Sequence, residues 1–181
     1  MRKLTHDEIA RRRFSNDEIE KQGRYPISVL LDNIRSLYNV GSIFRTADGA
    51  RISKLYLCGY TPHPPRREIE KTALGSTATV PWEYHNDPMV PLRNLREKHV
   101  CICILEQTDL SIPYTTFQPN GRPVCLVVGN EITGVSKEIV GLADQAIEIP
   151  MFGMKQSLNA AVALGIALFG LVDRYERTPH H

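Results

Sequence analysis

The chain has 181 residues, of which 42% are hydrophobic and 23% are charged, and its formal net charge is +2. These values are ordinary for a globular domain, and a chain of this length buries one core without disulfides. They exclude a disordered, collagen-like or disulfide-framework protein. The longest apolar run, 160–172, is too short to span a membrane, which takes roughly 18 residues or more. No apolar stretch follows the charged N-terminus, so we do not expect a secretory signal.

The cysteines give no sign of a metal site or a disulfide. Each of the four lies in an apolar, strand-like run, and no C-x-x-C pair is present: Cys58, Cys101, Cys103 and Cys125. No histidine lies near them at the spacing of a metal ligand. We therefore expect buried, reduced thiols in a cytoplasmic protein that holds no metal.

Residues 1–24 are predicted to form a basic helical arm. Thr5–Glu8 and Ser15–Glu18 both fit the capping box, in which a hydroxyl caps a helix and a glutamate bonds back, and Gly23 follows as a stop. Between the two helices lie three consecutive arginines, Arg11, Arg12 and Arg13. The helices carry few apolar residues, so they must pack against another part of the protein.

From residue 25 onward, apolar strand-like runs alternate with helical stretches, which defines a second region at 25–181. Strands are predicted at 27–31, 54–60, 99–105, 123–129 and 146–149. Helices are predicted at 39–50, at 67–73, from 87, from 136 and at 157–175. The last helix is apolar on nearly every face, so we expect it to be buried. This alternation predicts an α/β fold with a mostly parallel sheet and helices on both faces.

The charge is unevenly distributed. Residues 35–71 hold seven basic and three acidic side chains, whereas residues 100–181 hold five basic and eight acidic ones. This asymmetry fits a surface that faces a polyanion, and a solvated basic face is the alternative.

Common nucleotide and hydrolase motifs are absent from the sequence. It has no G-x-x-x-x-G-K-[ST] loop, no G-x-G-x-x-G after a strand and no G-x-S-x-G elbow. The chemistry must therefore lie in other segments.

Three segments at strand ends carry candidate functional residues. In 33–45, Asn39 lies where its side chain can cap a helix, and Arg45 projects about one turn further on. In 127–136, Asn130 and Glu131 follow a buried strand and stand between Gly129 and Gly134, where parallel sheets bind ligands.

In the third segment, 149–163, a strand end and a loop lead into the apolar helix. Ser157 is a good N-cap for that helix. Asn159 is less easily explained, because a buried amide needs partners.

Taken together and in this order, the three segments resemble the motifs of the SpoU/TrmH family of SPOUT RNA 2'-O-ribose methyltransferases. The family patterns N-x-x-x-x-x-R, G-x-E-x-x-G-[LV]-S and I-P-M-x-G-x-x-x-S-L-N are matched from Asn39, Gly129 and Ile149. The stretch 71–76 is similar to the family's K-x-[AS]-x-G-[AS] loop. The resemblance covers about residues 25–173.

This resemblance implies a C-terminal trefoil knot that binds S-adenosylmethionine, and a homodimer packed knot against knot. By analogy, six residues hold the cofactor: Leu105, Gly129, Asn130, Ile149, Met151 and Leu158. Five residues are implied in catalysis: Asn39, Arg45, Glu131, Ser157 and Asn159. Arg45 matches the essential arginine of the family. Because a guanidinium is a poor base, we expect Arg45 to stabilise the forming alkoxide or to grip phosphate, although it is often proposed as the base.

The implied substrate is tRNA or rRNA, whose phosphates require basic side chains. The expected RNA-binding residues are Arg11, Arg12, Arg13, Arg35, Arg51, Arg66, Arg67 and Lys71. Two other functions stay open, namely methylation of a base nitrogen and RNA binding without catalysis. The sequence does not identify the modified nucleotide, nor whether His180 and His181 are native.

Overall fold

The computed structural model describes residues 1–177, apart from the side chains of Asn16 and Glu20. His180 and His181 therefore lie outside the described residues. No helix within the described part of the chain is long and apolar enough to cross a bilayer.

The N-terminal arm consists of two short helices, α1 (His6–Ala10) and α2 (Asn16–Gln22). Both predicted capping boxes are present, with Thr5 and Ser15 as the N-caps. Gly23 ends α2 with a φ of 73°, a left-handed value that glycine adopts without strain. The two predicted helices are thus confirmed, while the division of the chain at residue 24 stays a prediction.

The body is built on one seven-stranded sheet in which every pairing is parallel. The strand order is β3-β2-β1-β6-β4-β7-β5. The strands are β1 (Tyr25–Asp32), β2 (Ile52–Cys58), β3 (Trp82–His85), β4 (Cys101–Leu105), β5 (Ile112–Pro113), β6 (Val124–Val128) and β7 (Gln145–Glu148). This confirms the predicted parallel α/β fold, and the structure agrees with the C-terminal knot of the family.

Five helices cover both faces of the sheet: α3 (Leu37–Gly49), α4 (Arg67–Ala73), α5 (Met89–Glu97), α6 (Lys137–Leu142) and α7 (Ala160–Arg177). Helices α3, α4 and α7 enclose one apolar core, and α5 and α6 enclose the other. Alternate strand residues feed the two cores, so Val29 and Leu31 of β1 lie on one face and Leu30 on the other.

The sequence did not indicate the two edge strands, β3 and β5. They have four and two residues and contain polar residues or proline, so neither forms an apolar run. Pairing with a neighbouring strand makes these segments extended.

Both functional helices begin at residues other than those predicted. Helix α3 begins at Leu37 and is capped by Ser36, whose side chain accepts the N–H of Asn39, so the prediction that Asn39 caps this helix is wrong. Helix α7 begins at Ala160, where Asn159 Oδ1 accepts the N–H groups of Ala161 and Val162. Asn159 and not Ser157 is therefore the cap of α7.

One face of α7 is open. Val162, Ile166 and Phe169 are 52%, 36% and 49% exposed, whereas Leu164 and Leu168 are fully buried. The expectation that this helix is buried all round is wrong for the face at spacing i, i+4, i+7, because the sheet and α3 cover only the opposite face.

Candidate cofactor cavity and active site

A cavity of about 240 Å³ lies beyond the carboxyl ends of β4, β6 and β7. Because these strands are parallel neighbours, the loops that follow them meet at one edge of the sheet. All six residues predicted to hold a cofactor line this cavity: Leu105, Gly129, Asn130, Ile149, Met151 and Leu158.

The loop after β6 closes tightly on itself. Asn130 and Gly134 exchange backbone hydrogen bonds of 3.0 and 2.9 Å. A Cβ placed on Gly129 would lie 2.2 Å from the backbone of Gly134 and Val135. Glycine is therefore required at 129 for this wall of the cavity to form.

The Asn130 side chain holds this loop in place. Its Oδ1 accepts the N–H groups of Ile132 and Thr133 at 2.8 and 3.0 Å, and its Nδ2 donates to the Asn33 carbonyl and the Tyr60 hydroxyl. The residue is 5% exposed. Because the amide is fully occupied, Asn130 shapes the cavity wall through its backbone.

Two acidic residues that line the cavity were not identified from the sequence. Glu106 accepts the N–H groups of Val135 and Gln107 at 2.9 and 3.0 Å, and Glu148 accepts the Ser111 hydroxyl at 2.6 Å. Their position in the sequence could have indicated them, since each lies at or just after the carboxyl end of a strand, where parallel sheets bind ligands.

Three predicted catalytic residues form one hydrogen-bonded network. Asn39 Nδ2 donates to Glu131 Oε1 at 2.8 Å, and Asn159 Nδ2 donates to Asn39 Oδ1 at 3.0 Å. The network joins the beginnings of α3 and α7 to the loop after β6. Ser157 and Glu131 also line the cavity, so the network lies beside it.

Glu131 holds the segment that precedes α3. Its carboxylate accepts the N–H groups of Arg35 and Ser36 at 3.0 and 3.3 Å. Burial raises the pKa of Glu131, but the hydrogen bonds from these N–H groups and from Asn39 outweigh it, and the pKa lies below its ordinary value. Such a carboxylate is a poor proton acceptor and a good anchor.

Arg45 lies apart from this network. It is six residues after Asn39 in α3, which places it about 9 Å along the helix axis and about 120° around it. Within residues 1–177 its side chain makes no hydrogen bond or ion pair, and it lines a second cleft. Within one chain, Asn39 bonds Glu131 and Asn159 and does not orient Arg45.

The predicted RNA-binding residues fall into two groups. Arg12, Arg13 and Arg51 line the same second cleft as Arg45. The others are exposed at separate places: Arg11, Arg35, Arg66, Arg67 and Lys71. Arg51 is only partly exposed, and its guanidinium lies 4.7 Å from the centre of the Tyr25 ring.

The four cysteines are buried and unpaired, as predicted. Burial raises the pKa of each thiol, to about 12 for Cys125. Such thiols are packing residues and not nucleophiles. Among the described residues, no group of three histidine, cysteine or acidic side chains is arranged to hold a metal ion.

The lining of the cavity suits S-adenosylmethionine in its chemistry. The glycine-closed loop brings backbone close to a ligand, and Met151 and Leu158 supply apolar wall. Glu106, Glu131 and Glu148 make the lining acidic, which complements the sulfonium and ammonium charges of that molecule.

A parallel α/β sheet with a cavity at a glycine-closed strand end places this protein among the α/β proteins that bind a ligand beyond the carboxyl ends of their strands. Comparison with known proteins then assigns the family: the SpoU rRNA methylase model matches residues 26–169. The chain therefore belongs to the SpoU rRNA methylase family.

Named relatives agree with this assignment. The chain is 35% identical to a tRNA (guanosine(18)-2'-O)-methyltransferase of Aquifex aeolicus, over 84% of this chain and 71% of that protein. It is 31% identical to the enzyme of the same name from Thermus thermophilus, over 95% and 91%. The S-adenosylmethionine-bound structure of an rRNA methyltransferase from Sinorhizobium meliloti superposes with a TM-score of 0.79 at 31% identity, covering 86% of this chain and 59% of that one.

Proposed function

We propose that the protein transfers a methyl group from S-adenosylmethionine to a ribose 2'-hydroxyl of tRNA or rRNA. The observation that carries the proposal is one cavity lined by all six predicted cofactor residues, with the Asn39–Glu131–Asn159 network beside it. The names of the Aquifex, Thermus and Sinorhizobium relatives support it.

When bound, S-adenosylmethionine supplies an electrophilic methyl group on its sulfonium. The residues of the chain then have to orient the hydroxyl and stabilise the charge that develops on it. Glu131 is held by backbone N–H groups and Asn39, so it anchors the network. Ser157 and Asn159 are exposed at this edge of the cavity, and in this proposal they contact the ribose.

Arg45 is proposed to grip the phosphate next to the reacting ribose and to stabilise the forming alkoxide. A guanidinium keeps its proton at neutral pH, so this role is chemically easier than that of a base. The 2'-hydroxyl proton would pass to an RNA phosphate or to water.

A homodimer would account for the separation of Arg45 from the cavity of its own chain. The open face of α7 packs beside α3: Phe169 Cζ lies 3.8 Å from a Cβ built on Gly49, and Thr46 lies beside Gly165. A second copy seated on Val162, Ile166 and Phe169 would therefore lie next to the helix that carries Arg45. A two-fold dimer is the usual way to cover such a face.

We further propose that the protein works in the cytoplasm without a metal ion. Four unpaired thiols fit a reducing compartment. Methyl transfer from a sulfonium needs no Lewis acid.

Two measurements test the function. Calorimetry on EDTA-treated protein should show binding of S-adenosylmethionine, and the absence of heat and of a thermal shift at millimolar concentration would contradict it. RNA methylated by the protein should then yield alkali-resistant dinucleotides, because a 2'-O-methyl group blocks cleavage. A methylated base without such dinucleotides would indicate attack on a base nitrogen, and no transfer at all would indicate a silent RNA-binding module.

A further inference from the structure

A second cleft, of about 890 Å³, lies between the N-terminal arm and the body. This volume is in the range of small-molecule sites. The arm contributes Arg12, Arg13 and Phe14, and α3 contributes Arg45 to the lining. The loop after α4, from the 71–76 stretch that resembles a family motif, forms a further part of the lining through Ala73–Ser76.

The arm is docked on the body through Arg51. The Arg51 guanidinium lies 4.7 Å from the centre of the Tyr25 ring and 5.8 Å from that of Phe14. Its Nη1 also donates to Gln22 Oε1 at 2.5 Å. The Arg51 guanidinium makes cation–π contacts with both rings. These contacts hold the arm against the body, so the arm forms a wall of the cleft.

Three of the four arginine side chains in this cleft are open to a ligand. Four arginines line it against two acids, Asp48 and Glu176. Asp48 accepts the Thr79 hydroxyl at 2.5 Å, and Glu176 accepts the hydroxyl of Tyr25. Within residues 1–177, neither carboxylate forms an ion pair with an arginine of the cleft.

Arg12, Arg13 and Arg45 make no side-chain hydrogen bond or ion pair with any described residue, and all three are exposed. A guanidinium presents a planar fork of donors that matches a phosphate. Each of these three open forks on one cleft is therefore able to pair with a phosphate of a nucleic-acid strand.

We propose that this cleft binds a single-stranded segment of the RNA substrate by its phosphates, with the docked arm as one wall. The proposal rests on the proposed function and adds where the strand lies. A site of this volume has room for roughly one or two nucleotides of a single strand, and a duplex is too large for it. The Phe14 ring, 52% exposed, offers a face on which a base stacks. Because Arg45 shares the cleft, a strand bound there lies against the arginine proposed to act in catalysis.

The first test measures the binding of a fluorescent oligouridylate to full-length protein over a range of salt concentrations. Each lost phosphate contact lowers the salt slope by about 0.7 for a single strand. The double variant Arg12→Ala/Arg13→Ala should therefore lower the slope by about 1.4. The matched control is Arg93→Ala/Arg96→Ala, which removes two exposed arginines from α5 on the other face of the sheet and should leave the slope unchanged.

The second test leaves all arginines of the cleft in place and removes the Phe14 ring from the arm. Phe14→Ala removes one ring from Arg51, so oligouridylate affinity should fall several-fold while the salt slope stays near that of the wild type. Phe14→Tyr should restore the affinity. Circular dichroism checks that each variant remains folded.

A slope for Arg12→Ala/Arg13→Ala equal to that of the wild type, or no lower than that of the α5 control, would overturn the proposal. If the wild type still forms 2'-O-methylated RNA in that case, the proposed function is supported and only the RNA-binding role of the cleft is rejected. If the slope falls as expected but no methylated ribose forms, the cleft stands as an RNA site and the proposed function fails.

Discussion

Asn159 donates its side-chain amide to the side-chain oxygen of Asn39 across 3.0 Å, although the two residues are 120 positions apart. The contact ties the beginning of α7 to the first turn of α3. Glu131 then accepts from Asn39, so the loop after β6 is held at the same point. The geometry of this edge of the cavity therefore depends on all three segments at once.

Replacing Asn159 by serine separates its two roles. Serine is a good N-cap, so the free energy of unfolding should change by less than about 1 kcal/mol. It has no amide to reach Asn39, so single-turnover methyl transfer should fall tenfold or more. Asn159→Ala should lose both the cap and the contact with Asn39, and its free energy of unfolding should fall by about 1 kcal/mol. Wild-type transfer by Asn159→Ser would show that the contact with Asn39 has no part in the reaction.

The lowered pKa of Glu131 predicts a pH dependence of stability. A carboxyl group whose pKa is lowered by folding stabilises the native state above its unfolded pKa, about 4.3, and this contribution is lost as the pH falls through the lower folded pKa. Glu131→Gln should therefore cost about 1 kcal/mol at neutral pH, a value reduced by its exposure. It should also flatten the stability curve below about pH 5.

Urea unfolding at a series of pH values measures this effect. Glu97→Gln, at an exposed position at the end of α5, is the control and should leave the curve close to that of the wild type. An unchanged curve for Glu131→Gln would contradict the anchoring role of this carboxylate.

Arg45→Ala should abolish most of the methyl-transfer activity and leave the binding of S-adenosylmethionine intact. The rate of methyl transfer at saturating RNA and cofactor should fall by two or more orders of magnitude, or about 3 kcal/mol, the usual cost of one lost transition-state donor. S-adenosylmethionine affinity should stay nearly intact, because Arg45 does not line the cavity of its own chain and is proposed to contact RNA. Arg45→Lys should also fail, since it keeps the charge and loses the fork. A rate within a few-fold of the wild type would remove Arg45 from the chemistry.

Phe169→Glu tests the proposed dimer. Phe169 is half exposed on the open face of α7, so a charge there should give folded monomers by light scattering, with an unchanged circular dichroism spectrum. Val90→Glu, at a 47% exposed position on α5, should leave the assembly intact. Leu168 is fully buried, so its replacement would report on folding instead. A wild-type monomer at micromolar concentration would count against the dimer.

Much of the sheet was predictable from the sequence. Strands β4 and β6 are continuous apolar runs, and the buried part of β1 is apolar except for Ser28 and Asp32, because strands buried on both faces need mostly apolar side chains. The cofactor residues were found through the family motifs, and the cavity that they line fits their predicted position at strand ends.

The helix beginnings were harder to predict. Ser36 and Asn39 both precede or open α3, and Ser157 and Asn159 both precede α7, and every one of these side chains is able to cap a helix. At α7, Asn159 bonds Asn39 and still caps the helix. At α3, the choice follows from what else the side chain bonds. The side chain of Asn39 is hydrogen-bonded to Glu131 and Asn159, so Ser36 caps α3.

By itself, the sequence determined the parallel α/β class, the capped helices of the arm and the motif residues, because these depend on local propensity, apolar pattern and short spacing. Only the tertiary structure decided that Asn39, Glu131 and Asn159 meet while Arg45 faces a different cleft with Arg12 and Arg13. The reason is geometric. Contacts between segments distant in the chain depend on the order of the strands and on the rotation of each helix about its axis, and both are set by packing of the whole core.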